Sequence, residues 1–289
     1  MNHPQESDVA GNESDHLVIS MIALDLDGTI LERGAVIREE VIERLVDLAG
    51  RGVICVTATG RPIDFQRDLL ERHGIGAASG LFSALMVDER EIFILDADGG
   101  YVSHAAWNDK VRADWEEVYP MAMELLDDAG AECNRRGWAG RPHHDAAESY
   151  ARGLPTLYVE TPERSQAIRD WVENEIVRRN YPLASNRNVH IVQIFDARVG
   201  KGAVLEEMCR VFDLLPRQVL AIGDSTNDNS MLDGSRGFRP GTVGNADPSV
   251  KQLVRENGGY VAEAHAGLGV VEIAGVTRFG PGPAVSKTR

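Results

Sequence analysis

The sequence predicts an α/β protein, with a Rossmann-like core on a parallel sheet and an inserted α+β domain. Short apolar runs alternate with segments of helical periodicity along much of the chain. Three of these runs end directly at Asp, Thr or Gly, and all four tryptophans fall between about residues 100 and 196. Continuous apolar runs are typical of strands that are buried on both faces, as they are in a parallel sheet.

The first part of the core is predicted to be a βαβ unit. The largely apolar run Leu17–Leu24 is too short for a typical helix and therefore indicates a strand. Apolar residues recur at helical spacing over 37–48 until Gly50 and Gly52 end the helix, and Val53–Ala58 is a second strand. The next predicted elements are a helix over 63–73 and strands over 84–87 and 91–95.

Composition divides the remainder of the chain. The aromatic-rich stretch 100–196 is predicted to be a separate small domain with its own core, while 17–99 and 197–276 are predicted to form the core domain together. The polar residues 1–16 are predicted to be a disordered tail, and the Gly- and Pro-rich residues 277–289 a loose tail. In the second core stretch, the pattern predicts a helix over 202–212, a strand over 218–222, a strand end and turn over 241–245 and a helix over 248–256.

Charge and cysteine content restrict the possible partners and compartment. The chain of 289 residues carries 30 Lys and Arg against 45 Asp and Glu, a formal charge of -15, which repels nucleic acid and anionic membranes. Three scattered cysteines favour neither a disulfide framework nor a zinc site. The first sixteen residues contain no apolar run that could serve as a secretory signal, and nowhere do 18 apolar residues follow one another to form a membrane span. The sequence therefore predicts a cytoplasmic protein, which we expect to be a monomer or a homodimer.

The first chemical motif is Asp25-Leu26-Asp27-Gly28-Thr29, at the end of the first predicted strand. Ligands of open α/β sheets bind beyond the carboxyl ends of the strands, so this pair of carboxylates is placed for chemistry. One carboxylate of such a pair can attack an electrophile while the other donates a proton to the leaving group. An EF-hand loop beginning at Asp25 is excluded, because Ile30 and Val36 stand where it needs Gly and Glu.

Three further motifs also lie at strand ends or helix starts. Thr59 and Gly60 offer a hydroxyl and backbone N–H groups to a phosphoryl oxygen, and Lys201 opens a helix as a point charge. The fourth motif supplies two more carboxylates and an amide, from Asp224, Asp228 and Asn227. These oxygen donors favour Mg²⁺, which would also reverse a repulsion of roughly 4 kcal/mol between a carboxylate and a phosphate 4 Å apart. The residues around Lys201 lack the remaining features of a P-loop, and 74–80 does not fit a dinucleotide fingerprint.

Taken together and in this order, the four motifs resemble those of haloacid dehalogenase-like phosphatases. The resemblance implies that Asp25 forms an aspartyl-phosphate, that Asp27 acts as acid and then as base, and that Thr59 and Lys201 hold the phosphoryl group. It also implies that Gly60 and Asn227 assist in phosphate binding. The metal site implied is Mg²⁺ bound by Asp25, the main-chain carbonyl of Asp27 and Asp224, with Asp228 in support. The long insert is similar to the large α/β cap of the Cof-like branch.

A finer resemblance, to the sucrose-phosphate phosphatase group, rests on 84–92, Trp107 and 264–267. The Cof-like Asn-Gly-Ala is replaced here by Ser79-Gly80-Leu81, and the cap loop 185–190 carries Arg, Asn and His where that group has Lys and acidic residues. The predicted substrate is therefore a small phosphorylated metabolite, a phosphorylated sugar or glycoside rather than sucrose phosphate itself. The residues predicted to contact it are Glu91, Arg187, Asn188 and His190.

Two alternatives to hydrolysis remain open at this point. A phosphosugar mutase or other phosphotransferase uses the same aspartyl-phosphate and differs only in what attacks it in the second step. A sugar-phosphate binding protein would keep the pocket without turnover. The presence of every catalytic position favours an enzyme over a binding protein.

Overall fold

The computed structural model describes residues 18–32, 34–143, 154–188 and 190–283. The predicted tail 1–16 and the last six residues, 284–289, lie outside this part of the chain. The strands are β1 Met21–Leu24, β2 Leu31–Glu32, β3 Val36–Ile37, β4 Ile54–Ala58, β5 Phe82–Val87, β6 Glu91–Leu95, β7 Tyr101–Ser103, β8 Gly140–His143, β9 Thr156–Val159, β10 Leu183–Asn188, β11 Ile191–Asp196, β12 Val219–Gly223, β13 Arg239–Thr242 and β14 Tyr260–Val261. The helices are α1 Glu39–Gly50, α2 Ile63–Arg72, α3 Ala105–Arg135, α4 Pro162–Arg179, α5 Lys201–Val211, α6 Asn229–Leu232, α7 Pro248–Glu256 and α8 Ala266–Val276.

The core is an eight-stranded sheet in the order β14-β13-β12-β1-β4-β5-β6-β7. The pairs from β14 to β5 are parallel, and β6 and β7 are added antiparallel at one edge. All four residues of β1 and all five of β4 are buried, as expected for strands of continuous apolar sequence that are covered on both faces. The α/β, Rossmann-like fold predicted from the sequence is confirmed.

Helices cover both faces of this sheet. On one face Ile22 and Leu24 pack with apolar residues of α1, α2 and α8, and on the other Met21 and Ala23 pack with α5, α6 and α7. The alternation within β1 follows from the period of two along a strand, which sends neighbouring side chains to opposite faces. The central strand is thereby fixed from both sides, and so is the position of the residue that follows it, Asp25.

The cap is an antiparallel sheet in the order β10-β11-β9-β8, covered by α3 and α4. Its own apolar core includes Trp115 and the partly buried Trp138 and Trp171, in agreement with the predicted aromatic core. Trp107 differs, because it packs against the core domain and its indole N–H donates to the carbonyl of Arg90 at 2.7 Å.

Two boundaries differ from the sequence-based expectation. Strand β7, Tyr101–Ser103, pairs with β6 in the core sheet, so it lies on the core side of the boundary predicted at residue 100. The described part of the predicted loose tail is hydrogen-bonded to the core, through Ile19 to Arg278 and through Gly282 to Gly52. These contacts join residues far apart in sequence, which local composition does not reveal.

None of the helices within the described ranges is both long and apolar enough to cross a membrane.

Candidate active site

Four neighbouring strands of the core sheet carry the site at their carboxyl ends. In the sheet order β12-β1-β4-β5, these strands are followed by Asp224, Asp25, Thr59 and the turn at Glu89. Parallel strands bring their carboxyl ends to one edge, so residues up to 199 positions apart in the sequence meet there. The residues predicted for the core site therefore converge because of the sheet topology.

Lys201 lies at the centre of the site. It is the first residue of α5, and its side chain is fully buried. Its Nζ donates to Oδ1 of Asp25 at 2.7 Å and to Oδ1 of Asp228 at 2.6 Å. Burial alone would lower the pKa of Lys201, but the two carboxylates outweigh it and raise that pKa, so the lysine is charged. A buried charge of this kind is tolerated only when it is paired in this way.

The acidic residues around this lysine suit a divalent cation. Carboxylate oxygens of Asp25, Asp224 and Asp228 lie within 4.8 Å of one another. Among the described residues, Oδ1 of Asp224 is a buried oxygen without a hydrogen-bond partner. Burial, followed by repulsion from Asp228, raises the pKa of Asp224 to about 7, and burial also raises that of Asp25. An unpartnered oxygen and crowded carboxylates are what a hard cation would satisfy.

Asp228 supports this cluster from behind. Its Oδ2 accepts hydrogen bonds from the backbone N–H groups of Asp224 and Ser225, and its Oδ1 accepts from Lys201. Because both oxygens are engaged, Asp228 orients the neighbouring loop and lysine, and Asp25 and Asp224 are the side chains left to hold a cation.

Gly28 allows the first and fourth motifs to meet. Its φ of +81° lies in the region that favours glycine, and a Cβ at this position would come within 2.2 Å of Oδ2 of Asp224. Any side chain here would push the acidic loop away from Asp25. The glycine of the first motif is therefore required both by the turn and by the approach of Asp224.

Asp27 lies at the exposed side of the cleft. Its carboxylate accepts two hydrogen bonds from Arg61, both at 2.7 Å, and the guanidinium of Arg61 stacks 4.5 Å from the centre of the Phe65 ring. Arg61 directly follows Thr59 and Gly60 in the sequence and had no predicted role. The ion pair fixes Asp27 beside the nucleophile candidate Asp25.

The groups predicted to bind phosphate lie together near a carboxylate that the sequence analysis overlooked. The hydroxyl of Thr59 accepts from the backbone N–H of Arg61 at 3.2 Å. Nδ2 of Asn227 donates to Oε1 of Glu89 at 2.7 Å, and the same carboxylate lies 3.9 Å from Nζ of Lys201. Burial raises the pKa of Glu89, while Lys201 and Asn227 oppose that shift.

A cleft between core and cap opens above these residues. Its volume of ≈ 710 Å³ falls within the roughly 300–1,000 Å³ typical of small-molecule sites. The cap lines it with Asn186, Arg187 and Gln193, and Asn186 is the direct cross-strand partner of Gln193. The core also contributes Asp247. Of the residues predicted to contact substrate, Arg187 alone lines this cleft within the described part of the chain.

The other predicted substrate residues lie elsewhere or are not described. The Glu91 side chain is fully buried and accepts two hydrogen bonds from Arg112, both at 2.9 Å, so it anchors α3 to β6 instead of facing the cleft. His190 is exposed and is absent from the cleft lining. The side chain of Asn188 lies outside the described atoms.

Comparison with known proteins places this geometry in context. The model of a family described as haloacid dehalogenase-like hydrolase matches residues 22–113 and 142–268. A phosphoglycolate phosphatase of Methanothermobacter thermautotrophicus is 28% identical, over 89% of this chain and 97% of its own. A 5-amino-6-(5-phospho-D-ribitylamino)uracil phosphatase of Bacillus subtilis is 20% identical, over 88% of this chain and 94% of its own.

Among solved structures, the sucrose-phosphatase of Synechocystis, determined with sucrose and phosphate, has a similar fold. The TM-score is 0.64 at 18% identity, and the match covers 88% of this chain and 96% of that one. At this identity the likeness concerns the fold.

Proposed function

We propose that this chain, which belongs to the haloacid dehalogenase-like hydrolases, is a Mg²⁺-dependent phosphatase acting on a sugar or glycosyl phosphate. The single observation that carries the proposal is the contact of Lys201 with Asp25 at the edge of the sheet where Asp224 also lies. A buried cation paired with a potential nucleophile, beside an unsatisfied carboxylate, suits transfer of an anionic group.

Asp25 and Asp224 fit a divalent cation, as the unpartnered oxygen of Asp224 indicates. The main-chain carbonyl of Asp27 is the third protein ligand implied by the family. When bound, Mg²⁺ would neutralise the charges of the phosphate and of the carboxylates and so reduce their repulsion. Lys201 supplies the remaining positive charge from the protein itself.

In the first step, Asp25 attacks phosphorus and the bond from phosphorus to the ester oxygen breaks. Lys201 binds Oδ1 of Asp25, so we assign the attack to Oδ2. Asp27 must first exchange its two hydrogen bonds from Arg61 for a proton taken from solvent. The departing alcohol oxygen then takes this proton from Asp27, and Thr59, Gly60, Asn227 and Lys201 hold the phosphoryl oxygens. Positioning and charge neutralisation are the main contributions of a protein to phosphoryl transfer.

In the second step, water gives a proton to Asp27 and attacks the phosphorus of the aspartyl-phosphate. The bond between phosphorus and Asp25 then breaks and inorganic phosphate leaves. From the cap, Asn186, Gln193 and Arg187 offer hydrogen-bonding groups to the leaving group. Two amides and a guanidinium suit a hydroxyl-rich compound, which supports the assignment to phosphorylated sugars.

The proposal is tested by measuring products from a panel of sugar phosphates, glycosyl phosphates and nucleotides. We expect free phosphate in the presence of Mg²⁺, none with a chelator, and the highest kcat/KM among the sugar and glycosyl phosphates. An isomeric sugar phosphate without free phosphate would instead identify a phosphotransferase. Tight binding with neither product would identify a binding protein.

A second expectation concerns the pH dependence of Mg²⁺ binding. In the metal-free protein the pKa of Asp224 is raised to about 7, whereas in the unfolded chain it lies near 4. Above about pH 7 the buried ionised carboxylate lowers the free energy of unfolding. As the pH falls from about 7 to about 4, the folded protein takes up a proton on Asp224 and this loss of stability disappears. Mg²⁺ needs the ionised form and competes with that proton. The rise in melting temperature on adding Mg²⁺ should therefore be large near about pH 8 and small near about pH 5.5.

Thermal unfolding at both pH values, with and without Mg²⁺, checks this expectation. Asp224→Asn is the control, because it replaces the titrating carboxylate by a neutral amide. In this variant Mg²⁺ should not raise the melting temperature at either pH. An equal rise at the two pH values in the unsubstituted protein would contradict the assignment of Asp224 as a ligand.

A further inference from the structure

Glu89 is held at the phosphate-binding loop by an unusual backbone. Asp88 and Glu89 follow β5 with φ of +51° and +57°, a region that residues other than glycine seldom adopt. The N–H of Glu89 donates to the carbonyl of Thr59 at 3.1 Å. Such strain persists where the surrounding structure fixes it, and it occurs often at functional sites. Here it turns the side chain of Glu89 toward the catalytic residues.

The carboxylate of Glu89 contacts the groups that we assign to the phosphoryl group. Its Oε1 accepts from Nδ2 of Asn227 at 2.7 Å and lies 3.9 Å from Nζ of Lys201. The same oxygen lies 3.3 Å from the point where a Cβ of Gly60 would stand. Three of the four proposed phosphate-binding residues therefore surround one carboxylate oxygen. A phosphoryl oxygen and a carboxylate oxygen are both anionic acceptors, and they need the same donors.

The bond to Glu89 is not needed to hold Asn227 in place. The hydroxyl of Ser225 donates to Oδ1 of Asn227 at 2.6 Å, so this bond already fixes the direction of the amide and aims its N–H₂ at the cleft. Glu89 is also not one of the three described carboxylates whose oxygens lie within 4.8 Å of one another, which are those of Asp25, Asp224 and Asp228. What remains for its charge is an effect on the anion that shares these donors.

We propose that Glu89 is a positioning residue that competes with phosphate: its carboxylate shares Asn227 and Lys201 with the phosphoryl group and thereby weakens the binding of substrate and product phosphate. The inference rests on the proposed function only in taking these donors as phosphate-binding. A site with a bound cation and a buried lysine would otherwise retain the anionic product tightly. The negative charge of Glu89 limits this retention and favours release of phosphate.

The test is Glu89→Gln, which has the same shape and keeps an oxygen that can accept from Asn227 but removes the charge. We expect the Kd for inorganic phosphate, measured by calorimetry with Mg²⁺ present, and the KM for p-nitrophenyl phosphate each to fall about tenfold, because one repelling charge near the anion is gone. A purely structural role would leave both values unchanged, and loss of a needed contact would raise them. Either of these results would overturn the inference.

Asp88→Asn is the matched control. It removes one negative charge from the adjacent residue of the same turn, which, unlike Glu89, is not among the residues that line the cleft. Asn also tolerates the left-handed backbone at this position. We expect phosphate affinity within about twofold of the unsubstituted protein, because this charge does not share the phosphate donors.

The two proposals fail in different ways. If the unsubstituted protein releases no phosphate from any ester, the proposed function is wrong, yet the calorimetric comparison of the two proteins still decides the role of Glu89. If the unsubstituted protein is an active phosphatase and Glu89→Gln binds phosphate no more tightly, the inference about Glu89 alone is wrong. An equal decrease of the phosphate Kd in Asp88→Asn would also overturn it, because the decrease would then follow from the net charge of the protein and not from the position of Glu89.

Discussion

Replacing Asp25 by Asn should lower kcat for phosphate release by roughly 10⁴-fold or more, the scale of losing a catalytic nucleophile. An amide neither attacks phosphorus effectively nor offers a charged oxygen to a cation. The rate is measured as free phosphate at saturating Mg²⁺ and substrate. In the unsubstituted protein, rapid acid quenching should trap a phosphoryl group on Asp25, detectable by mass spectrometry of the peptide, and Asp25→Asn should trap none.

The fold should survive this substitution. The Asn side chain retains an oxygen that accepts from Lys201, and Asp228 still neutralises the lysine at 2.6 Å. Circular dichroism and thermal unfolding of the metal-free proteins provide the control. A folded Asp25→Asn protein that retains the full rate would show that another residue attacks phosphorus.

The convergence of the core motifs could be predicted because their signals are local. Asp25 and Thr59 each follow an apolar run directly, and Lys201 opens a helix that the periodicity indicates. Once the runs are assigned to a parallel sheet, topology alone brings their carboxyl ends together. The predicted site therefore needed no knowledge of side-chain contacts, and the α/β fold and the family are both confirmed.

The different positions of Glu89 and Glu91 could not be predicted from the sequence. Both are acidic residues in one short segment after β5, and the sequence analysis selected Glu91 for substrate contact. In the structure Glu91 pairs with Arg112, 21 positions later, while Glu89 turns into the site through a left-handed backbone. Neither the distant partner nor the sign of φ leaves a clear signal in a single sequence, because charged residues are common in exposed turns.

The cap residues were hard to predict for a related reason. Asn186 and Gln193 become neighbours only through the antiparallel register of β10 and β11. A shift of one residue in that register would turn both side chains to the opposite face. The sequence analysis selected Arg187 but placed it in a cap loop over 185–190, and this was wrong, since Leu183–Asn188 is strand β10. The register of β10 and β11 depends on packing against α3 and α4, which local patterns do not encode.

Replacing Lys201 by Met should have two separable effects, on stability and on catalysis. Met has a similar length but no charge, so it leaves the buried carboxylates of Asp25 and Asp228 without their cation. Removing one partner of a buried ion pair costs about 3–5 kcal/mol of unfolding free energy. Phosphate release should also fall by roughly 10²- to 10³-fold, the scale of losing one electrostatic contact to the transition state. Denaturant unfolding in the presence of a chelator and steady-state kinetics measure the two effects.

The double variant Lys201→Met with Asp25→Asn isolates the effect on stability. Once the charge of Asp25 is removed, the loss of Lys201 leaves one fewer unpaired carboxylate, so Lys201→Met should cost about 1–3 kcal/mol less in this background than alone. Activity should remain absent, because the nucleophile is missing. Additive losses of stability would contradict the pairing of Lys201 with Asp25 at 2.7 Å. The double variant therefore reports on the ion pair alone, and the kinetics of the single variant Lys201→Met, measured on folded protein, decide whether Lys201 also takes part in the chemistry.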